Sequence, residues 1–172
     1  LLPRRVRMDD VPDRPRAFGS EMSWLAVQTD DAGQLAAVLG LGDLSVANWN
    51  SGLGAIYDIE LSDTFVFISP PVEGWTFVAG VSLPLPQRGS FVDKATPLLA
   101  RVAREFRSVQ YFATFPIIDF YAWARFENGR PVRAVAIGEA GIVWDLGHPT
   151  PVERKLGLSA MEVRGILNRH GD

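Results

Sequence analysis

Apolar and polar residues alternate through most of the second half of the chain, and this pattern predicts four consecutive β-strands. The four segments are residues 109–115, 119–127, 131–137 and 141–145. A period of two is that of a strand with one buried and one exposed face. Asn128 and Gly129, between the second and third segments, favour a two-residue turn because both residues tolerate positive φ angles. Turns this short join antiparallel neighbours, so the pattern predicts an antiparallel sheet.

The first half of the chain mixes strand-like and helix-like patterns. Two segments repeat apolar residues every three or four positions, which predicts two longer helices. These apolar positions are Leu35, Val38 and Leu39 in one segment and Leu98, Leu99, Val102 and Phe106 in the other. Four further strands are predicted at residues 23–28, 55–61, 64–69 and 75–82. Capping-box patterns that begin at Thr150 and Ser159 predict two short C-terminal helices.

Strands that follow one another, with helices set apart from them, indicate an α+β fold. We expect a mainly antiparallel sheet with the two longer helices on one face and short helices at the C-terminus. The chain has 172 residues and is 47% hydrophobic, which suits one domain with a substantial core. Residues 1–20 combine three prolines with charges of both signs and have no apolar period. We therefore expect a flexible tail at 1–20 and a single domain at 21–172.

The composition excludes several classes of function. The chain has no cysteine, which excludes a thiol nucleophile, a disulfide scaffold and a cysteine-ligated metal. With only His148 and His170, a multi-histidine metal site is not expected. No apolar run approaches the roughly 20 residues of a membrane span, and the common catalytic and phosphate-binding motifs are absent. We expect a cytoplasmic protein that has no catalytic residues, needs no metal or cofactor and does not bind a membrane.

The charges are distributed unevenly. Residues 17–87 contain eight acidic residues and no lysine or arginine. Residues 1–16 carry five bases and three acids (+2), and residues 88–172 carry twelve bases and nine acids (+3). A surface of one sign steers association, so the acidic segment predicts a protein partner with a basic surface. It argues against a nucleic-acid partner, which requires a basic stripe. The alternative is that apolar core strands in this segment have no place for charges.

Asp58, Glu60 and Asp63 form the only cluster of three carboxylates in the acidic segment. On a strand at 55–61, Asp58 and Glu60 would share one face. Paired carboxylates bind divalent cations or act as acid and base in catalysis. Acids spaced along an exposed strand more often form a solvated face, so we assign all three residues to the partner-binding surface.

The segment 119–127 carries the clearest pattern of a binding surface. Its even-numbered residues form an ordinary core face: Phe120, Ala122, Ala124 and Phe126. Its odd-numbered residues form the other face: Asp119, Tyr121, Trp123, Arg125 and Glu127. Tyr, Trp and Arg dominate binding hot spots, so we predict that the second face binds the partner. The alternative is that a short helix, such as the C-terminal one, covers this face.

Three stretches of the chain resemble a group of small uncharacterised bacterial α+β proteins. They are GWTFVAGVSLP, SVQYFATFPIIDFYAWARFENGRPVRAVAIGEAGIVWDLG and TPVERKLG. Some members of that group resemble the immunity-type proteins of toxin loci. The resemblance implies no particular site residues. Together with the acidic segment and the aromatic strand, it leads us to expect a non-catalytic immunity or inhibitor protein that neutralises a bacterial toxin by direct binding.

Two other functions are open at this point. An apolar cavity lined by Tyr111, Tyr121, Trp123 and His148 would make the chain a small-ligand-binding protein or an enzyme. A polar and aromatic sheet face that meets other subunits would make it a subunit of a larger protein assembly.

Overall fold

In a computed structural model, which describes residues 7–87 and 92–157, the chain forms one antiparallel sheet with helices on both faces. The strands are β1 Met22–Val27, β2 Phe67–Ile68, β3 Thr76–Gly80, β4 Val109–Phe115, β5 Phe120–Glu127, β6 Arg130–Gly138 and β7 Gly141–Gly147. The helices are α1 Ala32–Leu39, α2 Trp49–Tyr57, α3 Ala95–Glu105 and α4 Pro151–Lys155, with a 3-10 turn at Pro116–Ile118. None of the helices in the described ranges is long and apolar enough to cross a membrane.

The predicted α+β architecture is confirmed. The seven strands lie in the order β2-β3-β1-β4-β5-β6-β7, so the four predicted strands of the second half are sequential neighbours. Asn128 and Gly129 form the turn between β5 and β6 with φ angles of 49° and 74°. β1 pairs with β3 on one side and β4 on the other, which joins the two halves of the chain in one sheet.

The main core lies between the sheet and the two predicted helices. α1 and α3 contact each other on one face of the sheet, as expected. The residues that they bury include Leu25, Val27, Leu35, Leu99, Val102, Tyr111, Ala124 and Phe126. Alternate residues of β4 and β5 point into this core, which is the physical reason that their alternation predicted strands correctly.

A third helix, α2, was not predicted, and the strand expected at residues 55–61 was wrong. Trp49, Leu53 and Ile56 have helical spacing and pack with Phe67 on the second face of the sheet. Their helical period was hidden because residues 50–52, Asn-Ser-Gly, are typical of a turn. Asn48 overrides that tendency, because its side chain accepts a hydrogen bond from the Ser51 N–H at 2.9 Å and caps the helix.

The two glycines of α2 have different surroundings, and this predicts different effects of substitution. A Cβ atom at Gly52 would lie 2.1 Å from the buried Phe67 ring, whereas a Cβ atom at Gly54 would meet nothing within 4 Å. We expect Gly52→Ala to lower the free energy of unfolding by about 1–3 kcal/mol through overpacking. Gly54→Ala should be neutral or stabilising by up to about 1 kcal/mol. Urea denaturation of both variants checks this, and an equal effect at the two sites would contradict it.

One predicted strand is shorter in the structure than expected. The strand expected at 64–69 shortens to β2, because backbone bonds from Leu61 to Asp58 and from Phe65 to Leu61 hold the preceding residues in turns. The capping box at Thr150 is confirmed and begins α4. The helix predicted from Ser159 lies outside the described residues.

The described part of the predicted tail, residues 7–20, lies along α2. The carboxylate of Asp13 accepts hydrogen bonds from the Trp49 and Asn50 N–H groups at 2.8 and 2.9 Å. Phe18 packs with Trp24, Trp49 and Phe77 on the second face. The flexibility of residues 1–20 stays a prediction. These contacts nevertheless predict that altering the described part of the segment lowers the stability of the fold.

Removing the Asp13 carboxylate should destabilise α2. Asp13→Ala leaves two N–H groups at the helix start without their acceptor, and loss of such a cap costs about 1 kcal/mol. For a chain of this size that corresponds to a decrease of roughly 2–4 °C in melting temperature. Arg14→Ala, at an exposed neighbouring position, is the matched control. Equal melting temperatures for the two variants would show that the segment is dispensable.

Candidate functional site

The second face of the sheet, opposite α1 and α3, carries four of the eight residues predicted to bind a partner: Tyr121, Trp123, Arg125 and Glu127. The strand register arranges its side chains in three rows across β1, β4, β5, β6 and β7. Row one is Met22, Thr114, Tyr121, Ile137 and Ile142. Row two is Trp24, Phe112, Trp123, Val135 and Asp145. Row three is Ala26, Gln110, Arg125, Arg133 and Gly147. The face is therefore largely apolar in rows one and two and more polar in row three.

The described helices leave the middle of rows one and two uncovered. α1 and α3 pack on the first face, and α2 contacts β2 and β3. Met22 is fully buried with α2, and the Trp24 ring stacks on Phe112 with 5.1 Å between ring centroids. We call the uncovered part the open face; it comprises Phe112, Thr114, Tyr121, Trp123, Val135 and Ile137.

β5 places its side chains on alternate faces, as predicted. Phe120, Ala124 and Phe126 are buried in the main core. Tyr121 is 47% exposed on the open face, and Trp123 is half-buried beside it.

The charged residues at the ends of β5 are positioned differently from one another. Arg125 and Glu127 continue the second face and form an ion pair at 2.5 Å. Asp119 does not belong to the strand: it ends the 3-10 turn before β5 with a φ of 49°. It therefore lies at the edge of the open face, beside the exposed apolar residues Ile117 and Ile118.

Asp58, Glu60 and Asp63 lie in the turns after α2, not on a strand, so the shared strand face predicted for them was wrong. The fold nevertheless places this loop near the open face. The hydroxyl of Tyr57 donates a hydrogen bond to the Ser20 carbonyl at 3.3 Å, just before β1 begins. Since β1 begins where β4 ends, the loop and Tyr121 lie at the same end of the sheet.

The segment after β3 also leaves the sheet at this end and leads to Lys94 at the start of α3, on the first face. Four other segments at this end contain acidic residues and no basic ones. They are residues 17–21, 58–66, 116–119 and 139–140, and they contain no lysine or arginine. We call their six acids the acidic end: Glu21, Asp58, Glu60, Asp63, Asp119 and Glu139. Arg125 and Glu127 lie at the other end of β5, and at about 3.3 Å per residue Glu127 is roughly 20 Å from Tyr121. The eight predicted site residues therefore form two groups.

Arg133 is a site residue whose role the sequence did not reveal. It belongs to row three, but its side chain is only 2% exposed because α4 approaches it. Nε donates to Glu153 Oε1 at 2.8 Å, and Nη1 donates to Asp145 Oδ1 at 2.7 Å and to the Leu146 carbonyl at 3.1 Å. No residue of α4 is buried, so these bonds are its main attachment to the sheet.

Glu153 serves α4 twice, as partner of Arg133 and as a member of the capping box. Its Oε2 accepts a hydrogen bond from the Thr150 N–H at 2.7 Å. Burial alone would raise the pKa of Glu153, but the hydrogen bonds from Arg133 and Thr150 outweigh burial and lower it. In the same pair, burial alone would lower the pKa of Arg133, and the bonds to Glu153 and Asp145 raise it.

This arrangement predicts a loss of stability in acid. A carboxylate with a lowered folded pKa stabilises the fold above its unfolded pKa, and the contribution is lost as pH falls through the folded pKa. We expect the melting temperature of the wild type to fall more steeply below about pH 4.5 than that of Glu153→Gln. Thermal melts between about pH 3 and 7 measure this, with Glu139→Gln as an exposed control. Parallel curves for the wild type and Glu153→Gln would contradict it.

The four residues proposed to line one ligand cavity do not come together. Tyr111 lies in the main core, where burial raises its pKa, and its hydroxyl donates to the Pro84 carbonyl at 3.1 Å. Tyr121 and Trp123 lie on the opposite face, and His148 is exposed in the loop before α4. A surface depression elsewhere is lined, among the described residues, by Pro84, Leu85, Gln87, Val92 and Lys94.

Within residues 7–87 and 92–157, no three acidic or histidine side chains are grouped closely enough to hold a metal ion. No protein-family model, curated protein or solved structure matches the chain.

Proposed function

We propose that this chain is a non-catalytic protein-binding protein, an immunity or inhibitor protein that neutralises a bacterial toxin by direct binding through the open face. The observation that carries the proposal is the difference between the two sides of the sheet. The first face is covered by α1 and α3, whereas the second keeps Tyr121 at 47% exposure beside the half-buried Trp123. Aromatic side chains held on a rigid sheet are suited to anchor a partner at low entropic cost.

The charges around the open face support a basic partner. The acidic end adjoins row one, and its carboxylates accelerate encounter with a basic surface. Toxins that act on nucleic acid have basic clefts, because they must attract phosphate groups. An acidic inhibitor with an apolar anchor fits such a cleft, and occluding the cleft requires no reacting group on the inhibitor.

The test is protection of cells from a toxin encoded beside this chain. Co-expression of the chain with its neighbour should restore growth, and the purified proteins should form a complex. Trp123→Ala should abolish both effects. Val46→Ser, at an exposed apolar position before α2, should leave both unchanged. Absence of protection and of a complex with the wild-type chain would refute the proposal.

A further inference from the structure

We propose that the open face is the floor of a trough that accepts one amphipathic α-helix with basic flanking side chains from the partner. This inference rests on the proposed function, because it names the part of the partner that the open face binds. The walls of the trough are α2 on one side and α4 on the other.

The spacing of the walls fits a single helix. α2 lies over β2 and β3, and α4 is attached to β6 through Arg133. From β3 to β6 there are four strand steps, through β1, β4 and β5. At about 4.8 Å per step, the walls are roughly 19 Å apart. The axes of packed helices lie about 8–10 Å apart. A helix midway between α2 and α4 would therefore lie at a packing distance from both walls.

The floor has the chemistry that an amphipathic helix requires. Phe112, Trp123 and Val135 form a continuous apolar row between the walls, and Tyr121 and Ile137 continue it toward the acidic end. A helix that lies in such a groove is anchored by apolar residues spaced i, i+3, i+4 and i+7. Arg125 and Glu127 continue the same face of β5, and the distance from Tyr121 to Glu127 is about 20 Å, which matches three to four helical turns.

The carboxylates around the trough favour basic residues on the flanks of the bound helix. In row three, next to the floor, the Arg125 guanidinium is paired with Glu127, and Arg133 is paired with Asp145 and Glu153. At the acidic end, Glu21, Asp119 and Glu139 add carboxylates without a lysine or arginine in the same loops. A helix with lysine or arginine beside its apolar stripe gains from these carboxylates, whereas an acidic helix is repelled.

The experiment uses the full chain and two synthetic peptides. One is a 14-residue amphipathic helix of leucine and lysine; the other has glutamate in place of every lysine. By calorimetry, the lysine peptide should bind at least about tenfold more tightly than the glutamate peptide and weaken as salt screens the charges. Trp123→Ala should weaken the lysine peptide by about tenfold or more. Val46→Ser should leave its affinity unchanged.

Several results would overturn the inference. Equal affinity for the two peptides would show that the site does not select basic flanking residues. Unchanged affinity in Trp123→Ala would show that the peptide does not bind in the trough. If the peptide binds the double variant Ile166→Asp, Leu167→Asp but not the wild-type chain, the occupant of the trough is the chain's own segment 158–172. If light scattering finds a dimer that Trp123→Ala dissociates, the occupant is a second copy.

The outcome is separable from that of the proposed function. If the chain protects cells from the toxin but binds neither peptide, the proposed function is supported and the helix as ligand is refuted. If the chain binds the lysine peptide through Trp123 but gives no protection, the helix-binding trough is supported and the toxin as partner is refuted.

Discussion

Replacing Arg133 with methionine should lower the free energy of unfolding by about 3 kcal/mol, an effect rarely reached by a charged residue on a sheet face. The variant leaves Glu153, which is only 14% exposed, without its cationic partner. Removal of one member of a buried ion pair typically costs about 3–5 kcal/mol, because the remaining charge stays desolvated. Urea denaturation measures the loss.

The chain contains a matched control for this prediction. Arg125 faces Arg133 directly across the β5–β6 ladder and also has a glutamate partner, Glu127. The Arg125 side chain is 50% exposed, however, and an exposed ion pair contributes no more than about 1 kcal/mol. Arg125→Met should therefore have a small effect. If the two variants lose equal stability, burial of Arg133 is not what makes its ion pairs important.

The second large effect concerns two aromatic residues of β5. Phe120→Ala should destabilise the fold by about 3–5 kcal/mol, because the ring is 7% exposed in the main core. Trp123→Ala removes a half-buried ring of the open face and should cost no more than about 1–2 kcal/mol. Its main effect should be on partner affinity, which should fall by about 2–4 kcal/mol.

Thermal melting and partner capture, measured on the same two variants, separate these roles. Phe120→Ala is expected to melt early, whereas Trp123→Ala should fold well and fail to capture the proposed partner. A Trp123→Ala variant that unfolds as readily as Phe120→Ala would show that both faces of β5 are buried and that the assigned binding surface is wrong.

The strands of the second half were predictable because each obeys a local rule. Alternation in β4 and β5 follows directly from one buried face, and Asn128-Gly129 specifies the hairpin between β5 and β6. α2 was not predictable in this way. Its Gly52 is required by the approach of Phe67, which is distant in sequence, and its start is capped partly by Asp13 from the N-terminal segment.

The candidate site likewise combines features that follow from local sequence with features that depend on distant residues. Period-two alternation was enough to assign Tyr121 and Trp123 to the second face. Arg133 lies on the same face through its pairing with Arg125, but its burial depends on Glu153, 20 positions later, and on where α4 lies. The position of Asp58, Glu60 and Asp63 near Tyr121 depends on a bond between Tyr57 and Ser20, which no local pattern indicates.

The alternation in β5 also has a consequence for how the protein can evolve. Stability depends on Phe120, Ala124 and Phe126, whereas the open face uses the residues between them. Mutations at positions 121 and 123 can therefore change the recognised partner while the fold is kept. Among descendants of this chain that meet different partners, variation along the strand should recur at every second position, with the core positions between them held constant.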